Sequence, residues 1–126
     1  MRDDYGGEMI RRIRPAPRKY KNIKCDWQGE AFDSKAELAR YLELRMLVRA
    51  GEVTGLMRQP SFILVPKVTI AGKTVRSIIY RADFEYQDKS GRRVIEDVKG
   101  ILTPVYKLKR HLMKAILGLD IKEVRK

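Results

Sequence analysis

Thiol chemistry is almost missing from this chain. Among its 126 residues stands one cysteine, Cys25, so neither an intramolecular disulfide nor a cysteine-built zinc site can form within it. That usage fits a reducing compartment, and Cys25 is expected to be a passive packing residue. Histidine is as scarce: His111 is alone, and in a helical pattern it reads as a surface residue rather than a catalyst. No apolar stretch approaches the roughly 18 to 20 residues of a membrane span. Met1 to Ile10 lacks the apolar core of a signal peptide, so a soluble protein of the cytoplasm is expected. Acid is also in short supply. Sixteen Asp and Glu face 28 Lys and Arg, a net charge of +12, which points to a polyanion partner with nucleic acid first. The same balance also suits a basic protein held in a nucleoprotein particle with no activity of its own. At this length one domain with a single two-layer core is expected, without repeats or low-complexity tracts.

What acid there is falls in a pattern. Ile78 to Tyr86 is rich in aromatic and β-branched residues, Asp88-Lys89-Ser90-Gly91 is a turn cluster, and Arg92 to Lys99 is a second such run. Together they predict a hairpin. Alternation puts Asp97 and Lys99 on one face and Glu96 on the other with Val94 and Val98, while pairing brings Asp83 opposite or diagonal to Asp97. Two acids and a base therefore converge. A pair of aspartates with a backbone carbonyl and a phosphate oxygen suffices to hold Mg²⁺, which keeps several waters. Such an ion binds a scissile phosphate and acidifies a water, and an ammonium beside that water can position it. The same residues also describe an ordinary surface hairpin with a solvated Asp83–Lys99 pair.

Phe32-Asp33-Ser34-Lys35-Ala36-Glu37 leads into an amphipathic run that stops at Gly51, a helix with start and stop signals. Ser34 and Glu37 match the capping box, which gives Glu37 a structural task. Spacing gives it a second one. Positions 37, 41, 44 and 48 share a helical face, and Tyr41, Leu44 and Val48 make that face apolar, so Glu37 ends a core-facing stripe. A carboxylate aimed at the sheet needs a partner, and a metal or its water is one.

This arrangement resembles the PD-(D/E)XK nuclease superfamily, in motif and in order. There a first-helix acid precedes a strand acid, then an acid-x-lysine triplet, a second helix and a further strand. The resemblance assigns those roles to Glu37, Asp83, Asp97 and Lys99. Phe32-Asp33-Ser34, Gln59-Pro60, Ala82-Asp83-Phe84, Glu96-Asp97-Val98-Lys99-Gly100 and Thr103 are also similar to a small family of phage and prophage proteins placed in that superfamily. The likeness runs from about Tyr20 to the C-terminus. Ala82 stands where the name-giving motif has proline, and Asp97 where glutamate is commoner; neither departure removes a ligand. Gln59 matches a polar position near the site in some members, although a turn residue before Pro60 explains it as well.

The resemblance implies a metal-dependent endonuclease that hydrolyses DNA phosphodiesters. Asp83 and Asp97 would hold Mg²⁺, or Mn²⁺ in its place, with the Val98 carbonyl; Glu37 would take a water or second ion; Lys99 would orient the attacking water. A structure-selective enzyme of phage recombination or replication in the host cytosol, such as a Holliday junction resolvase, suits the small size. Cutting two strands of a symmetric substrate calls for a homodimer. The alternative is a catalytically silent basic DNA-binding module with the same fold.

Residues 1–24 carry Arg11, Arg12, Arg14, Arg18, Lys19, Lys21 and Lys24 around Pro15 and Pro17 without apolar periodicity. They read as a flexible basic arm, a phosphate clamp or a solubilising tail, before a nuclease-like domain over residues 25–126. Residues 22–32 predict a small hairpin on the first helix, with Trp27 as a core anchor. Glu52 to Met57 and Ser61 to Ile70 read as strands, Pro66 marking an edge or bulge. Thr103-Pro104 starts a second helix and Gly118 ends it. Its expected core stripe is Val105, Leu108, Leu112, Ala115 and Ile116, and Lys107, Arg110 and Lys114 form a basic line read as a DNA backbone track. Asp120 to Val124 is the expected last strand. The elements in this order, helix, three or four mostly antiparallel strands, helix, strand, give an α/β or α+β fold class, and the resemblance implies a restriction-endonuclease-like core.

Overall fold

The computed structural model describes residues 24–125. Arg11, Arg12, Arg14 and Arg18 of the expected arm lie outside the described residues. The architecture is mixed α+β, mostly strands with two helices.

The expected small hairpin is β1 (Cys25–Trp27) with β2 (Glu30–Phe32), joined by Gln28 and Gly29 at φ 49° and 81°. Two successive positive φ values give the mirror-image turn whose twist matches that of the flanking strands. α1 (Lys35–Arg49) follows, its first turn capped by Ser34, and Gly51 at φ 77° lets the chain leave it. Glu37, Tyr41 and Leu44 are its buried residues; Val48, expected to continue the stripe, is exposed.

After α1 come β3 (Val53–Arg58), β4 (Ser61–Val65), β5 (Val68–Ile70), β6 (Lys73–Val75), β7 (Ile78–Arg81), β8 (Phe84–Asp88), β9 (Arg93–Lys99), α2 (Pro104–Leu112) and β10 (Ile121–Arg125). The central sheet runs β10-β9-β8-β3, with β3, β8 and β9 antiparallel and β10 parallel to β9. A parallel neighbour needs a crossover, and α2 is that crossover. No helix among the described residues is long and apolar enough to cross a membrane.

Two expected strands are broken. Ser61 to Ile70 divides at Pro66-Lys67, and Ile78 to Tyr86 divides at Ala82-Asp83, because β7 pairs with β4 while β8 pairs with β3 and β9. The hairpin with β9 is therefore made by β8 alone. Both sides of the change of partner bend together. Gln59, at φ 54°, donates its N–H to the Asp83 carbonyl at 2.8 Å, and Ala82 donates to the Pro60 carbonyl at 3.0 Å. Proline cannot extend the ladder at position 60, so the pairing turns there.

Apolar clusters lie on both sides of the sheet. Phe32, Tyr41, Leu44, Val53, Phe84 and Tyr86 form one with α1; Leu64, Tyr80, Ala82, Ile95, Tyr106 and Met113 form the other with α2. The second cluster corrects the stripe expected for the second helix. Val105 is 62 % exposed and Leu108 58 %, Ala115 and Ile116 are exposed too, and only Leu112 is half-buried. Tyr106 sets the rotation instead: its hydroxyl donates to Glu123 on β10 at 2.8 Å while its ring packs into the cluster. A π-helical turn over Met113–Leu117 then shifts the phase before Gly118, at φ 70°, ends the helix.

Candidate functional site

The bend is where the acids meet. Phe84 pairs with Glu96, and continuing that register by one residue sets Asp83 against Asp97. The ladder is held on both sides of Asp83, whose N–H donates to the Glu96 carbonyl at 3.1 Å and whose Oδ2 accepts from the Val98 N–H at 2.8 Å. The Asp83 carboxyl is pushed up to about 8, by burial first, then by a hydrogen bond shared with Asp97 and by the charge of Asp97. Asp97 is buried. Its Oδ2 accepts from the Tyr80 hydroxyl and stands 3.4 Å from Lys99 Nζ. Lys99 also lies over the Tyr106 ring, 4.1 Å from its centre, a cation–π contact that holds the ammonium beside the acids. Lys99 thus pairs with Asp97, and the solvated Asp83–Lys99 pair does not form.

Strand parity separates the two adjacent acids of β9 as the alternation predicts. Glu96, fully buried, faces α1, where Arg40 Nε and Nη2 donate to its two oxygens at 2.7 and 2.9 Å and Tyr86 donates its hydroxyl. That is a closed structural network, each oxygen satisfied, and it leaves Asp97 as the acid facing Lys99.

Glu37 caps α1 and, as its spacing requires, lies buried at the end of the core-facing stripe. Its own N–H donates to Ser34 Oγ at 3.1 Å, and its Oε1 accepts from the Asp33 N–H at 3.0 Å, one residue earlier than the usual capping box. The other oxygen, Oε2, is buried without a hydrogen-bond partner among the described residues; Arg58 Nη2 is 3.7 Å away. Burial raises the Glu37 pKa; the Asp33 N–H and Arg58 lower it, while the charge of Asp97 acts with burial. Glu37 in turn helps raise Asp83, so the three carboxylates feel one another across the opened end of the sheet. Arg58 is fixed by Glu30 at 3.0 Å, the Ala31 carbonyl at 2.8 Å and the Phe32 ring at 3.9 Å.

Among the described residues, no three His, Cys, Asp or Glu side chains stand as a preassembled metal cage. The donor set nevertheless suits a hard divalent cation. Asp83, whose ionisation burial and the charge of Asp97 disfavour, the adjacent Asp97, and Glu37 with an unpartnered buried oxygen are oxygen ligands whose mutual repulsion a cation would relieve.

Beside Lys99 opens a cleft of about 520 Å³ whose lining includes Arg81, Thr103, Tyr106 and Lys109 and no acid. Tyr80, Tyr106, Arg58, Arg81 and Lys109 were not singled out in the sequence. For Lys109 a signal existed, since Thr103, Tyr106 and Lys109 share a helical face at steps of three; for the others the partner lies on a distant strand. The expected basic line is elsewhere. Lys107, Arg110 and Lys114 flank a separate cavity near β10, and Arg110 pairs with Glu123 at 2.7 Å and Lys114 with Asp120 at 3.0 Å. A phosphate there would have to displace carboxylates. Gln59 acts through its backbone, Trp27 is half-buried edge-on to Tyr41, Cys25 packs against the α1 cluster, and His111 is exposed.

Residues 17–124 match the model of a protein family described as "Protein of unknown function (DUF1064)". No curated protein and no solved structure matches the chain.

Proposed function

The chain belongs to the DUF1064 family, and from the acids gathered at its strand bend we propose that it is a divalent-metal-dependent deoxyribonuclease of the PD-(D/E)XK kind. In this reading its core is restriction-endonuclease-like and its substrate is branched DNA, cut in the manner of a Holliday junction resolvase by a homodimer. One observation carries the reading: Asp83 and Asp97 are adjacent and sheltered, with Lys99 3.4 Å from Asp97 and an orphaned Glu37 oxygen nearby. The order α1, antiparallel β3, β8 and β9, then α2 and parallel β10 supports it.

When bound, Mg²⁺ or Mn²⁺ would supply positive charge against the scissile phosphate and acidify a water. Asp83 and Asp97 would hold the ion, with the Val98 carbonyl as a further oxygen. Burial and the neighbouring Asp97 favour the protonated form of Asp83, and ion binding would release that proton. Glu37 Oε2 would accept from a water or meet a second ion. Lys99, steadied by Asp97 and the Tyr106 ring, would orient the attacking water and offset developing negative charge.

The second reading is a catalytically silent basic DNA-binding module, favoured by the bonds that Asp83 and Asp97 already have to the Val98 N–H, Tyr80 and Lys99. One assay separates the two. Purified protein is incubated with branched, nicked, linear and single-stranded DNA in Mg²⁺, Mn²⁺ or EDTA. Cleavage should need the ion, and Asp83→Asn, Asp97→Asn or Lys99→Ala should each lower turnover by about 10²-fold or more with DNA binding retained. Binding without cleavage of any substrate in either metal would establish the silent module.

A further inference from the structure

Residues 61–82 carry Lys67, Lys73, Arg76 and Arg81 and no acid at all. That segment is the β4–β7 ribbon and its continuation, the β5–β6 hairpin. β4 and β7 are anchored, with Leu64 and Tyr80 in the cluster under α2. Beyond Pro66 the chain leaves the core. Every residue of β5 and β6 is exposed, although the two strands keep a regular antiparallel ladder, Val68 to Val75, Thr69 to Thr74 and Ile70 to Lys73. A two-stranded hairpin exposed on both faces adds little to stability. Stability therefore does not explain its length.

Its construction suits a groove. Thr69 and Thr74 lie on one face, while Val68, Ile70, Lys73 and Val75 lie on the other. The tip is Ala71-Gly72 at φ 50° and 81°. Alanine is an uncommon residue in that left-handed conformation, and it keeps the tip narrow where asparagine would have been easier. At the other end of the ribbon, Arg81 and Ser61 line the cleft that also holds Lys99. The acid-free surface is continuous with the proposed site.

We propose that the β5–β6 hairpin is a DNA-gripping arm that enters the major groove of duplex DNA flanking the scissile phosphate. The major groove admits a two-stranded β-ribbon. Lys67, Lys73 and Arg76 meet phosphates along its walls, and Arg81 carries the backbone on toward Lys99. This inference rests on DNA being the substrate and adds the surface that holds it.

The test uses the full chain in EDTA, with duplexes of unrelated sequence and a four-way junction, titrated across salt. Lys67→Ala, Lys73→Ala and Arg76→Ala combined should reduce the slope of log K against log salt by roughly 2.7, at about 0.9 for each phosphate that is no longer neutralised. The thermal unfolding midpoint should not move, because all three side chains are exposed. Dimethyl sulfate footprinting reads the groove: the parent should protect guanine N7, which lies in the major groove, and the triple variant should not. An unchanged slope, or protection confined to adenine N3 in the minor groove, overturns the arm. If the parent cleaves DNA while the triple variant binds as the parent does, the arm falls and the nuclease reading stands. If the variant loses both slope and N7 protection but the parent cuts nothing in Mg²⁺ or Mn²⁺, the arm stands and the nuclease reading falls. A parent that binds no duplex DNA sinks both.

Discussion

Asp83 connects protonation to folding more directly than any other residue of the site. Its folded pKa, about 8 against an ordinary 3.8, means that the fold favours the protonated carboxyl. The stability this contributes is complete below about pH 4 and is lost as pH rises through about 8. In EDTA the unfolding midpoint should therefore fall across that window, and Asp83→Asn should flatten the fall. Mg²⁺ should raise the midpoint more at the alkaline end, where the carboxylates need shed fewer protons to bind it. A midpoint that does not depend on pH in the parent, or Mg²⁺ stabilisation equal at both ends, would count against a sheltered, ion-binding pair. Glu37 separates a cap from a site residue. Loss of a cap costs about 0.5 to 2 kcal/mol, whereas Glu37→Gln can still accept from the Asp33 N–H through its amide oxygen. Its unfolding free energy should stay near the parent's while cleavage drops about tenfold or more. Parental activity in Glu37→Gln would leave the residue a cap alone.

The elements differ in how tightly their neighbours constrain them. α1 presents Tyr41 and Leu44 to the sheet as its spacing requires, but α2 is turned so that Tyr106 and Met113 are buried while Val105 and Leu108 face outward. Alanine substitution should report this difference in denaturant titrations. Leu44→Ala empties a fully buried position and should cost about 2 to 5 kcal/mol. Leu108→Ala should stay within about 0.5 kcal/mol. Equal losses at the two positions would mean that α2 packs as its apolar periodicity alone would have it. In the proposed mechanism the rotation matters because it brings Tyr106 under Lys99 and Lys109 to the cleft. It also turns Arg110 and Lys114 toward Glu123 and Asp120.

For the molecule as a whole, charge and symmetry make the expectation. In the proposed nuclease a net charge of +12 would supply affinity for any phosphate backbone, so selectivity would have to come from geometry. Two copies with a fixed spacing could choose a branch point where one copy could not. Under the proposed mechanism Asp83→Asn protein should not cut, and it should bind a four-way junction with two chains per junction and more tightly than linear duplex. Linear duplexes of unrelated sequence should bind alike, since phosphate contacts carry no base information. Sedimentation of the complexes and competition titrations measure both points. One chain per junction, or a marked preference for one linear sequence, would refute the symmetric resolvase.

The helix signals of α1, the β1–β2 hairpin, the start of α2 at Thr103, the strand near the C-terminus and the parity that separates Asp97 from Glu96 were all legible along the chain. They depend on neighbours within a few residues: a side-chain cap, a two-residue turn, an alternation of faces. The division of Ile78–Tyr86 between two partners was not legible, because each half pairs with a strand distant in sequence and only the closed ladders at Gln59, Pro60, Ala82 and Asp83 show the bend. The same holds for Tyr80 on Asp97, Arg58 near Glu37, and the face that α2 buries. An apolar periodicity says that a helix has a stripe, but the competing burial of Tyr106, bonded to Glu123, decided which face is covered. Local chemistry thus determined the elements and the residues able to act together, and tertiary packing decided which of them meet.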